Sequence, residues 1–517
     1  MADTHTLELP GDSVALRPAL LEFIAEFNAH ARSVKKSGSA GYRESEKFVA
    51  TQMSGVARAA HKVLLGLLDI DSECVKIWGD VYKKVGRYEG EYFSLEGAVR
   101  VERSIYRKVG ERNGRTVDPV SLRAGVVEDG WLPHAAQAMA HLVAKGTSRE
   151  AQSTSNELQR LPYSRVSFER VAHAVGKLYC AAAPRIEEAL IQSYQVPERA
   201  KSISVSVDRV SLPMEESPTK PAPKRDKKRV KMLDDFVRGL KVKHAVEPRT
   251  LAYIEYVKRA AKRRRPKVLR NWRMAYCATV TLHDAKGDAL HTIRYGRMPA
   301  GDTRSLMRRL AADIRALRQK RSDLEVVFLA DGAAELWALF DTYLSKQDIG
   351  IEGIRLLDCW HVMEYLAAAA PIVESKIKSW GQFRAWRKTI LTEAKGSDQI
   401  LKELRDSGAA NVRDANGECP VQGAIRYLEK RLPMTRYATA RRMGLPIGSG
   451  NVEATCKSLV GLRMKRSGAR WKHTTGNEVL QLRALMLSDR WTNGIARALS
   501  PRAKPVWPVN TIAAQAA

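Results

Sequence analysis

Between residues 201 and 370, strand-like and helix-like runs follow one another in an order that few folds accept. Ser202 to Leu212 (SISVSVDRVSL) alternates with the two-residue period of a strand. A Pro- and Lys-rich stretch, 215–230, follows and reads as a flexible basic loop; a second basic run, 258–273, holds Arg263, Arg264, Arg265, Lys267 and Arg270. Strands at 274–283 and 289–297 are joined through Asp284–Gly287, and a helix capped by Asp302 or Thr303 runs to Arg318. A strand ending at Asp331, a helix with Trp337 and Phe340, and a strand over 353–358 complete the set. Strand, long loop, two strands, helix, strand, helix, strand is the order of an α/β, ribonuclease H-like mixed sheet. The catalytic core is expected in two parts, 201–370 and 446–490, separated by an all-helical insertion, 371–445, that contains Trp380 and Trp386.

Residues 1–95 read as a helical region, with Val56, Ala60, Val63, Leu64 and Leu67 on one face of a helix. Residues 96–200 read as a β-hairpin followed by a helix-turn-helix. Gly97 to Arg107 alternates and is followed by Asn113-Gly114, a strong turn signal. Its outward Arg100, Arg103 and Arg107 suit either a phosphate backbone or a solvated face. Thr147 or Ser148, then Ser164 or Ser167, are placed to cap the later helices, and Arg165 and Arg170 near the last N-terminus suit contact with DNA. Residues 491–517 read as a C-terminal tail.

Three acids carry the chemistry. Asp208 lies in the first core strand, Asp331 at the tip of the fourth, and Glu453 opens a helix after the turn Ile447-Gly-Ser-Gly. In such a sheet the first and fourth strands are neighbours, so carboxylates from both, with a third from a helix packed across them, can hold two Mg²⁺ ions, with Mn²⁺ as substitute. Asp358 and His361, three apart after the fifth strand, read as an accessory pair that orients DNA or supports the metal ligands. Lys457 lies one turn beyond Glu453, on an expected stripe 453, 457, 460, 464. Arg463, Lys465, Arg466, Arg470 and Trp471 combine cations with an aromatic, the mix that grips a nucleic-acid backbone and stacks on an unpaired base. Gly448 and Gly450 are expected to permit a close approach into the helix.

Composition decides the partner. The 517 residues hold 87 Lys and Arg against 57 Asp and Glu, a formal charge of +30, so a polyanion is expected, double-stranded DNA above all. Six scattered cysteines without a C-x-x-C pair argue against zinc ribbons and disulfide frameworks and fit a reducing cytoplasm, with nucleoid association. No apolar stretch approaches the length of a membrane span, and no Walker loop or Gly-rich dinucleotide turn appears, so neither a membrane nor a nucleotide cofactor is expected.

Four strings carry a resemblance: VSVDRVSL around Asp208, VFLADGAAELW around Asp331, LLDCWHVMEYL around Asp358 and His361, and IGSGNVEATCKSLVGLRMKRSGARW around Glu453. The sequence resembles the IS-Kra family of bacterial insertion-sequence transposases, relatives of the Mutator-like DDE enzymes, over residues 55 to 490; GAVRVERSIYR resembles that family's strand before its helix-turn-helix. The resemblance implies Asp208, Asp331 and Glu453 as a DDE triad and Asp358 with His361 as the accessory pair. It implies binding of terminal inverted repeats and target DNA as a homo-oligomer, then Mg²⁺-dependent strand cleavage and strand transfer. The Cys-rich segment many members carry is missing near 106–118. A transposase-derived DNA-binding protein and a ribonuclease H-like nuclease without strand transfer stay open.

Overall fold

A computed structural model describes residues 11–37, 42–216, 269–299, 301 and 303–509, with Lys231 and Asp235. Most of the Pro- and Lys-rich stretch, the basic run up to 268 and the proposed cap Asp302 lie outside the described residues.

Two helices, α1 (Arg17–Ser37) and α2 (Tyr42–Gly66), precede an antiparallel sheet of β1 (Cys74–Ile77), β2 (Asp80–Ser94), β3 (Gly97–Lys108) and β4 (Thr116–Val117). The helical expectation for residues 1–95 therefore stops at Gly66. Beyond it, β2 pairs with β3 from Tyr82↔Lys108 to Ser94↔Gly97, and Tyr92 and Tyr106 fill the sheet's buried faces. The hairpin at Asn113-Gly114 is present, but β4 adds only two pairs, Tyr106↔Val117 and Arg107↔Thr116.

A helical layer follows: α3 (Pro119–Ala124), α4 (Pro133–Lys145), α5 (Ser148–Glu157) and α6 (Arg165–Gln192). Thr147 caps α5 in a reciprocal capping box with Glu150, and Ser164 caps α6 through the Ser167 N–H. Helix α6 passes through Pro184 to Gln192, because Ile186, Leu190 and Ile191 keep its buried stripe going.

The second sheet contains β5 (Ser202–Glu216), β6 (Leu269–His283), β7 (Ala289–Arg297), β8 (Glu325–Ala330) and β9 (Ile354–Leu357), in the order β7-β6-β5-β8-β9. The first three run antiparallel and β5, β8 and β9 parallel, so β5 is central and the core is ribonuclease H-like. One face is covered by α7 (Thr303–Lys320) and α8 (Ala334–Tyr343). Ile203, Val205 and Val207 meet Leu306, Leu310, Ile314 and Phe340 there, all essentially buried. Each such side chain stabilises the fold by about 1.5–3 kcal/mol relative to exposure.

The insertion comprises α9 (Cys359–Ile377), α10 (Gln382–Thr392), α11 (Gly396–Asp406), α12 (Pro420–Glu429) and α13 (Tyr437–Arg442), packed around Trp386, Leu404 and Leu428. The chain returns through α14 (Gly450–Thr455), α15 (His473–Leu487) and α16 (Trp491–Leu499) to β10 (Trp507–Val509). The expected tail is thus built in. Trp491, Ile495 and Leu499 join the core of α4 and α6, and β10 pairs with β1, Cys74↔Val509 to Lys76↔Trp507. Among the described residues no helix is long and apolar enough to cross a membrane.

Candidate active site

The parallel ladder of β5 and β8 runs from Ser202↔Glu325 to Ser206↔Leu329, an offset of 123 residues that Asp208 and Asp331 share. In-register residues on neighbouring parallel strands point to the same face. For these two it is the face opposite α7 and α8, because Val327 and Leu329, two and four residues before Asp331, pack away from that helical pair against Leu356 and Leu445. Asp208 Oδ1 accepts the Arg209 N–H at 2.6 Å. Asp331, just past the end of β8, accepts the Ala333 N–H at 2.9 Å, and its carbonyl accepts the Trp337 indole N–H at 2.8 Å, which fixes the turn into α8.

Glu453 reaches the same face from α14. Leu212, Ala275 and Cys277 of the sheet pack there on Val452, Cys456 and Leu459. The Cys456 thiol, one turn beyond Glu453, donates to Asp208 Oδ2 at 3.4 Å. The neighbouring Cys277, burial and the Asp208 charge all raise the Cys456 pKa, so this thiol stays protonated as a donor. From Cys456 to Gly461 the helix opens into a π-turn. The expected stripe 453, 457, 460, 464 does not form one face: Val460 and Met464 are buried while Lys457 is exposed, since a widened turn breaks the 3.6-residue period. Cys456 had no signal of its own in the sequence beyond its spacing from Glu453.

His361 stands near Glu453, while Asp358 bonds to the loop before it. Asp358, wholly buried, caps α9 by accepting the Trp360 N–H at 2.6 Å, and its other oxygen accepts the Ser449 N–H at 2.7 Å and the Ser449 hydroxyl. It thereby ties the end of β9 to the loop that presents Glu453. Gly448 in that loop lies against the Trp360 indole, where a Cβ would come within 3.0 Å of the ring; Gly450 faces open space. His361 Nε2 stands 3.7 Å from Glu453 Oε1, and its Nδ1 pairs with Glu364 at 3.1 Å. Burial opposes protonation of His361, but Glu364, Asp358 and Asp331 outweigh it and raise its pKa. Arg431, which sequence reasoning passed over, donates to the Gly332 carbonyl beside Asp331 and stacks over Tyr427 at 4.6 Å.

The cations expected to grip DNA divide. Arg165, Lys457 and Arg470 are exposed. Arg170 stands 3.8 Å from Asp129, Lys465 donates to Ser211 at 3.3 Å, and Arg466 pairs with Glu150, holding that carboxyl down at about 2. Arg463 and Trp471 face inward, contrary to expectation. Arg463 is buried against α4, donates to the Val143 carbonyl at 3.2 Å and lies over the Trp471 ring at 5.1 Å; burial, with Arg466 and Arg483 nearby, lowers its pKa to about 10. The Trp471 indole donates to the Met464 carbonyl at 2.9 Å, and its backbone bonds to Pro213 and Glu215 of β5. Of the outward arginines expected on β3, Arg103 pairs with Asp118 at 3.2 Å.

The donor chemistry of Asp208, Asp331 and Glu453, hard carboxylate oxygens on a strand, a strand end and a helix, fits Mg²⁺ or Mn²⁺. Their side chains are each engaged elsewhere, and among the described residues no three His, Cys, Asp or Glu stand close enough to form a metal-binding group.

No protein-family model matches this sequence, and no curated protein does. Among solved structures the chain is similar to a Drosophila P element transposase strand transfer complex, at 10% identity and a TM-score of 0.33, over 69% of this chain and 92% of that one. At that score the fold assignment rests on the strand order alone.

Proposed function

We propose that the chain is a DNA transposase of the DDE type, acting on the ends of a bacterial insertion sequence in the manner of the IS-Kra family. The observation that carries this reading is that Asp208 and Asp331 share the 123-residue offset of the β5–β8 ladder and face one side of the sheet, with the Glu453 helix laid across it through Cys456. Asp208, Asp331 and Glu453 would hold the divalent cations, with their side chains turned from Arg209, Ala333 and His361. Two bound Mg²⁺ ions, or Mn²⁺ in their place, supply charge neutralisation at the phosphodiester and a more acidic attacking oxygen. Asp358 positions the loop before Glu453, and His361 holds the Glu453 carboxylate until a cation takes it. The net charge of +30 suits a DNA polyanion, bound by more than one copy of the chain, in a nucleoid-associated, cytoplasmic setting.

The test supplies a labelled element end with target DNA and Mg²⁺. The expected result is strand nicking followed by joining to target, with nicking abolished in Asp208→Asn and DNA binding retained. Nicking without joining would leave a nuclease on the same core. Nicking that persists in Asp208→Asn would falsify the site assignment.

A further inference from the structure

Several of the cations expected to meet DNA are spent inside the protein, and unspent positive charge gathers on the helical insertion. Helices α10 and α13 of the insertion hold Arg384, Arg387, Lys388, Arg441 and Arg442, with no Asp or Glu between them. All five are exposed, and among the described residues none has an ion-pair partner. Glu393, the cap residue of α10, accepts a hydrogen bond from the Thr392 hydroxyl at 3.4 Å. Arg441 donates to the Leu391 carbonyl at 3.2 Å, so the two helices present their charges as one surface.

Between this surface and the β6–β7 turn lies a cleft of about 510 Å³, lined by Arg441, Arg442, Thr392 and Ile447. One wall is the loop that leads into α14: the Ile447 carbonyl accepts the Cys359 N–H at 3.0 Å, and Ser449, two residues on, is held by Asp358. The charges of Arg441 and Arg387 are felt at the Cys359 thiol, where burial and Asp358 nevertheless push the pKa up to about 12.

We infer that the α10–α13 face of the helical insertion is a backbone-binding surface for duplex DNA, with Arg387, Lys388, Arg441 and Arg442 neutralising its phosphates. The inference rests on the reading above only in taking DNA as the partner. Unpaired surface cations release counterions from DNA when they meet phosphates, whereas cations already paired with carboxylates release fewer. Sequence-independent affinity from this face is the expected consequence.

The experiment measures binding of the full chain to a short labelled duplex by fluorescence anisotropy across about 50 to 200 mM salt. A fourfold variant, Arg387→Gln, Lys388→Gln, Arg441→Gln and Arg442→Gln, is compared with wild type and with Lys35→Gln/Lys36→Gln on α1. The slope of log affinity against log salt should fall by about 0.9 per lost phosphate contact, with affinity down about tenfold or more, while the α1 control keeps the wild-type slope. Arg441→Lys/Arg442→Lys, which retains charge at exposed positions, should keep the slope too, separating phosphate contact from damage to the fold. A fourfold variant with the wild-type slope overturns this surface alone. A wild-type chain that binds no duplex overturns the functional reading as well.

Discussion

Asp358 holds Ser449 from across 91 residues of sequence, accepting both its backbone N–H and its hydroxyl while capping α9 with the other oxygen. One buried carboxylate therefore fixes the end of β9, the start of the insertion and the loop before Glu453. Its energetic weight is large, because the carboxylate and its Ser449 partner are both buried.

Replacing Asp358 by Ala leaves the Trp360, His361 and Ser449 donors without their acceptor. The expected loss is about 3 kcal/mol or more of unfolding free energy, read from denaturant melts. Asp358→Asn should recover part of it, since one amide oxygen still accepts while the NH₂ opposes the remaining N–H groups. A change within about 0.5 kcal/mol for Asp358→Ala would show that this carboxylate organises nothing.

Arg463 tests packing against DNA contact. Arg463→Met removes the bond to the Val143 carbonyl and the stack on Trp471 but retains the apolar stem, so stability should drop by about 1–3 kcal/mol. The salt dependence of DNA binding should not change, because a buried guanidinium releases no counterions. A flattened slope with unchanged melting would reverse the assignment.

His283, at the end of β6, is buried between Ser204, 2.8 Å from Nε2, and the Gly287 carbonyl, 3.0 Å from Nδ1. The carbonyl can only accept, so Nδ1 carries the proton of the neutral ring and Nε2 accepts from Ser204. Burial lowers the His283 pKa below its ordinary 6.5, although Gly287, Asp284 and Asp288 work the other way. A histidine with a depressed folded-state pKa favours the native state fully above pH 6.5 and withdraws that support as pH falls through the folded value. Denaturant melts at neutral and mildly acidic pH should show a loss on acidification that His283→Gln diminishes. Identical pH dependence in the two proteins would remove His283 from this role.

Much of the core was legible because its signals are local. The alternation of SISVSV marks β5, Asp331 ends an apolar run whose brevity and following Gly332 favour a buried strand, and Thr147 and Ser164 cap the helices they precede. Strand β2 is not legible in this way: it carries Lys83, Lys84, Arg87 and four glutamate or glycine positions amid its aromatics, and its identity comes from pairing with β3. Arg463 and Trp471 read as a nucleic-acid grip because sequence shows residue type and not direction; α4 and β5 enclose them. Cys456, one of six scattered cysteines, has a partner only because the sheet brings Cys277 and Asp208 to its thiol.

By itself, the sequence determined the order of strands and helices from β5 to β9, the Thr147 and Ser164 caps, the excess of positive charge and the three acids at strand, strand end and helix. Those depend on periodicity and on hydrogen bonds spanning a few residues. Only the tertiary structure decided which cations remain free, that β10 closes the N-terminal sheet, and that Asp358 rather than a neighbouring residue holds the Glu453 loop. These are contacts between distant segments, and burying shared apolar surface, not local preference, selects them.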